Sequence, residues 1–165
     1  MPLTKVLITV KTYPSISTKN EELVCTAGFR EDGTWIRIYP VQYRKKSYDE
    51  QYKKYQWIEM DLVKNDSDFR PESFRPYSYE TEIKIISEVK PDGGSWDDRR
   101  KLVLNKVYTD LTHLIAEAKD RKTCTSLAVF KPTEILDVKI KPCTREWSKA
   151  KLATFQKISL FGSLG

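Results

Sequence analysis

Glu22 to Pro40 reads ELVCTAGFREDGTWIRIYP, and this stretch decides the fold class. Two runs of strand-forming residues flank Glu31-Asp32-Gly33. An Asp-Gly step between such runs signals a hairpin, because the turn needs a positive φ that glycine adopts without strain. Successive side chains on a strand point to opposite faces. Ile36 and Ile38 therefore share one face of the second strand, and Trp35, Arg37 and Tyr39 share the other. The isoleucines suit a core. The aromatic–arginine–aromatic row suits stacking on bases with a guanidinium on phosphate. It equally suits burial under a neighbouring element, since tryptophan is usually largely buried.

Working outward, Lys5–Lys11 (KVLITVK) is apolar on both faces, the pattern of a central buried strand. Thr12–Asn20, with Pro14, reads as a loop. Pro40 lacks an N–H and is expected to end the hairpin's second strand. Tyr48, Tyr52 and Tyr55 recur at helical spacing and predict a short helix within Gln42–Tyr55. Trp57–Val63 alternates as a strand with Ile58, Met60 and Leu62 inward, Lys64–Tyr79 reads as an irregular loop, and Glu82–Val89 reads as a strand. Pro91-Asp92-Gly93-Gly94 is a clear break. Ser95 then reads as the N-cap of one long helix, in which Leu104, Val107, Tyr108, Leu111, Leu114, Ile115 and Ala118 recur at helical spacing up to Lys119–Lys122. Ser126–Phe130, Ile135–Lys141 and Ala153–Phe161 read as strands. The sum is a β-rich α+β protein.

Hydrophobic residues make up 39% of the 165, enough for a core, so global disorder is excluded. No apolar run approaches the roughly 18 residues a membrane span needs. The N-terminal run lacks a small-residue cleavage site, so a cytoplasmic location with no membrane partner is expected. Cys25, Cys124 and Cys143 stand at no metal-binding spacing and predict neither a disulfide framework nor a zinc site; no cofactor is implied. The net charge of +6 is uneven. Residues 121–165 hold 9 of the 29 basic and only 3 of the 23 acidic residues, which is the whole excess. Such a bias suits a polyanionic partner, or simply a solvated basic surface.

Several pieces, in order, resemble the dual OB-containing domain family of prokaryotic proteins. Val24-Cys25-Thr26-Ala27-Gly28 followed by Gly33-Thr34-Trp35-Ile36-Arg37 is similar to that family's C-x-A-G … G-x-W-I-R hairpin. Ile58–Leu62 with Arg70-Pro71-Glu72-Ser73-Phe74 resembles its next strand and P-E-N/S-aromatic segment. Ser126-Leu127 with Ile135–Ile140 resembles the opening of its second barrel. The resemblance implies tandem OB-like barrels, nucleic-acid recognition and a place in bacterial conflict and phage-defence systems. Here Ile38-Tyr39 intervene between the family's Arg and Pro, and about three strands follow where a second barrel has five. The expected organisation is therefore an OB-like β-barrel over residues 1–92, then a helix and a second, partial β module over 93–165, either separate or packed with the first as one unit.

Three clusters are candidates for a nucleic-acid surface, single strands favoured. The first is Trp35, Arg37 and Tyr39. The second is Arg44, Lys45 and Lys46 amid tyrosines, with Asp49 and Glu50 close enough to offset the charge. The third is the C-terminal group Lys139, Lys141, Arg145, Trp147, Lys149 and Lys151. Catalytic signals are weaker. His113 is the only histidine and falls opposite the apolar stripe of its helix, and no Gly-x-Ser-x-Gly turn or phosphate-binding glycine loop occurs. Glu59, Asp61, Glu82 and Lys84 carry an alternative reading as a metal-dependent nuclease. A protein-interaction module docking through the tyrosine-rich 43–57 region and the Trp35 face is another.

Overall fold

The apolar run near the N-terminus forms β1 (Thr4–Lys11), whose Val6, Leu7 and Ile8 are fully buried. This structure, a computed structural model, describes residues 3–12, 23–91 and 93–142, with 146, 149, 152 and 153. Most of the loop expected over Thr12–Asn20 and of the strand expected over Ala153–Phe161 lies outside the described residues.

The hairpin forms as its sequence predicts. Strands β2 (Val24–Phe29) and β3 (Trp35–Val41) pair antiparallel, with Gly28 opposite Ile36 and Phe29 opposite Trp35. Gly33 adopts φ 78° in the turn. Asp32 Oδ1 accepts from the Thr34 amide and hydroxyl at 2.9 and 2.6 Å, which holds the Asp32 carboxyl below its usual range. Pro40 does not end β3, which runs on to Val41. The β2–β3 register shifts between Val24 and Thr26, so the proline falls at an irregularity, the kind of site where a missing N–H is tolerated.

The strand expected over Trp57–Val63 is divided at Asp61 into β4 (Gln56–Met60) and β5 (Leu62–Lys64). The segment expected to be an irregular loop contains β6 (Ser73–Pro76), parallel to β3 and antiparallel to β5. With β7 (Lys84–Glu88) the sheet has seven strands in the order β5-β6-β3-β2-β1-β4-β7. In a flat sheet the outer strands would stand about 29 Å apart. Leu62 from one end nonetheless shares a core with Ile83, beside the other, and with Val6, Ile36, Ile38 and Ile58 between. The sheet is therefore curled into a half-barrel around its isoleucine-lined inner face.

The tyrosine-rich connection forms two 3-10 turns, Tyr43–Lys45 and Tyr48–Glu50, in place of the expected helix. Tyr52 plugs the core, its hydroxyl 2.5 Å from that of Thr26, and its burial pushes the phenol pKa well up. The Tyr43 hydroxyl donates to the Tyr52 carbonyl at 2.8 Å.

The single long helix expected after Gly94 is two helices. The first, α1 (Asp97–Val103), is fixed to the sheet by Arg99, whose Nε donates to the Val89 carbonyl at 2.9 Å and whose guanidinium lies 4.1 Å from the Tyr55 ring centre. The chain then forms β8 (Val107–Tyr108) before α2 (Leu111–Lys119). Asp110 caps α2 by accepting from the amides of Thr112 and His113, a start signal inside what reads as one periodic run. Ser126–Phe130 yields only β9 (Val129–Phe130), parallel to β8, and Ile135–Lys141 forms no strand. Neither helix contains a fully buried residue. No helix among the described residues is long and apolar enough to cross a membrane.

Candidate functional site

Alternation along β3 places Ile36 and Ile38 in the core and Trp35, Arg37 and Tyr39 on the outer face, as read. The three outer residues have different surroundings. Trp35 is half-buried against Phe29, ring centres 4.0 Å apart. Arg37 donates from Nη2 to Ser126 Oγ at 3.1 Å and from Nη1 to Cys25 Sγ at 3.6 Å, while its buried Nε has no partner. The Ser126 hydroxyl in turn donates to the Glu72 carboxylate, and the Glu72 carbonyl accepts from the Arg37 amide at 2.8 Å. This knot joins the segment after α2 to the outer face of the sheet. Tyr39, at the other end of the row, is 38% exposed.

A cleft flanks each end of the row. The first, about 330 Å³, is lined by Trp35, Glu72, Lys106, Tyr108 and Ser126. Behind it Glu117 accepts from the hydroxyls of Tyr108 at 2.5 Å and Thr125 at 2.9 Å, and His113 Nε2 lies 3.0 Å away. The Tyr108 bond first, then that of Thr125, holds the Glu117 carboxyl below its usual range. The second cleft, about 410 Å³, is lined by Pro40, Arg75, Pro76, Tyr77, Ser78, Tyr79 and Glu80. The β3–β6 register pairs Arg37 with Ser73 and Ile38 with Phe74, and its continuation sets Tyr39 beside Arg75. Tyr77 and Tyr79 are 59% and 55% exposed. Sequence reasoning misses Arg75, Tyr77 and Tyr79, because a four-residue parallel strand ending in proline carries little periodicity. The available signal is the alternating Tyr77-Ser78-Tyr79 next to Pro76.

The other candidates lie apart from this row. Arg44 and Lys45 lie in the first 3-10 turn, and the Lys45 side chain is exposed. Lys46 is structural: its Nζ donates to the Thr81 carbonyl at 2.6 Å and sits 3.5 Å from Glu50, whose carboxyl also accepts from the Ile83 amide. Lys139, Lys141 and Lys149 are exposed, with Lys139 3.5 Å from Asp137. Arg145, Trp147 and Lys151 lie outside the described residues. Among the acids, Glu59 pairs across the sheet with Lys5 on β1 and Lys84 on β7, a cross-strand charge ladder. No three His, Cys, Asp or Glu side chains among the described residues form a group that could hold a metal ion, so Glu59, Asp61 and Glu82 are not assembled as a centre.

These features define a β-rich α+β protein with a curled seven-stranded sheet and an aromatic–arginine row on its outer face between two clefts. The chain belongs to the family described as Domain of unknown function (DUF8758), which matches residues 2–105, a span that takes in the whole sheet and α1 and leaves out β8, α2 and β9. No curated protein and no solved structure matches the chain.

Proposed function

We propose that this chain is a non-enzymatic nucleic-acid-binding module that takes a single strand across the outer face of an OB-like half-barrel. One observation carries the reading: Tyr77 and Tyr79 stand exposed beside Arg75 in the lining of one cleft, and the exposed Tyr39 lies on the neighbouring strand next to Pro40 of that lining. Exposed rings beside a guanidinium suit stacking on bases with phosphate contact, and each stacked base contributes roughly 1–3 kcal/mol. The row Tyr39–Arg37–Trp35 runs about 13 Å along β3 toward the first cleft, beside Trp35, a track long enough for more than one nucleotide. The basic excess after residue 120, including exposed Lys139, Lys141 and Lys149, supplies charge for the backbone. A role in bacterial phage defence follows from the family resemblance and belongs to the same proposal.

Fluorescence anisotropy with labelled single-stranded RNA, single-stranded DNA and duplex DNA at low and moderate salt tests it. Single strands bind best, salt weakens binding steeply, and the label stays intact with Mg²⁺. The Tyr77→Ala/Tyr79→Ala variant loses about 5- to 100-fold in affinity, the equivalent of one stacked base. No binding at low salt would sink the proposal.

A further inference from the structure

The segment after β9 has the composition of a strand but no strand partner among the described residues. Glu134–Lys141 reads EILDVKIK, strictly alternating from Leu136 on. Leu136, Val138 and Ile140 fall on one face, Asp137, Lys139 and Lys141 on the other. Yet they pair with no strand among the described residues, and Leu136, Val138 and Ile140 are 86%, 74% and 91% exposed. Three adjacent apolar side chains at such exposure make a surface that monomers rarely leave open.

We propose that this segment pairs antiparallel with the same segment of a second copy, about a two-fold axis through Val138. The charges select both partner and register. Centred on Val138, Asp137 of each copy lies opposite Lys139 of the other, Leu136 opposite Ile140, and Val138 opposite itself. Moving the centre to Asp137 sets two carboxylates face to face, and moving it to Lys139 sets two ammonium groups face to face. A one-residue slip mixes the apolar and charged faces. Parallel in-register pairing stacks like on like. Opposite charges across a strand pair stabilise it and like charges destabilise it, so the arrangement centred on Val138 is favoured over these. Within one chain Lys139 already lies 3.5 Å from Asp137, and pairing turns this exposed ion pair into a four-membered ladder. The joined apolar face then carries six side chains.

Sedimentation velocity of the full chain over a concentration series, without nucleic acid, tests the pairing. Wild type sediments as a dimer at the higher concentrations. Asp137→Lys places four lysines together and Val138→Asp places two carboxylates on the axis; each shifts the chain to monomer with an unchanged far-UV circular dichroism spectrum. The charge-reversed Asp137→Lys/Lys139→Asp variant recovers the dimer. A monomeric wild type, a dimer untouched by either single change, or a folded double variant that stays monomeric would overturn the proposal.

Discussion

Gly28 shows how much of this fold hangs on single positions. A Cβ there would meet the Leu7 carbonyl oxygen at 1.9 Å, a contact with backbone that no rotamer relieves. Gly28→Ala is expected to destabilise by at least about 3 kcal/mol, read from chemical denaturation, because overpacking a rigid strand pair forces the backbone to move. Thr26 and Tyr52 are a buried polar pair. Thr26→Val strands the Tyr52 hydroxyl and should cost about 1–3 kcal/mol by the same measurement. Asp68 carries a pH dependence. Its hydrogen bonds from Arg70 above all, and from Ser73, hold the Asp68 carboxyl well below the usual carboxylate range. A depressed folded-state pKa contributes stability above the unfolded value and loses it as pH falls below about 4. Asp68→Asn should thus lower the denaturation midpoint at neutral pH, with the gap to wild type starting to narrow below about pH 4 and closing only as pH nears the depressed folded-state value, well under about pH 3.

At the scale of elements, local signals were legible and long-range ones were not. The hairpin is a short-range object, so Asp-Gly and a two-residue period disclose its turn, its core face and its outer row. The strand β6 owes its existence to β3 and β5, partners that its own four residues do not announce, and with it the Tyr39–Arg75–Tyr77–Tyr79 rim stays hidden. The long helix misleads because apolar spacing continues by coincidence across Asn105–Asp110, while the cap at Asp110 goes unheeded. Lys46 reads as a binding cation but folds inward onto the Thr81 carbonyl, a contact that only the curled sheet creates. The knot of Arg37, Ser126 and Glu72 has its own consequence. Ser126→Ala should loosen the 123–127 segment from the sheet, raising amide hydrogen exchange there while β1 to β4 keep their protection.

For the whole molecule, the isoleucine-lined inner face secures the half-barrel and leaves Tyr39 and Arg75 on the outer face of β3 and β6, with Tyr77 and Tyr79 just past the end of β6. The uneven charge, legible from the sequence alone, complements that face if the ligand is a polyanion. The most direct measurement of this central claim is ultraviolet crosslinking of the full chain to single-stranded RNA or DNA, with the modified peptide identified by mass spectrometry. Adducts are expected on Tyr39, Tyr77 or Tyr79 and are lost when salt is raised. Adducts confined to other surfaces, or none under conditions of binding, would contradict it.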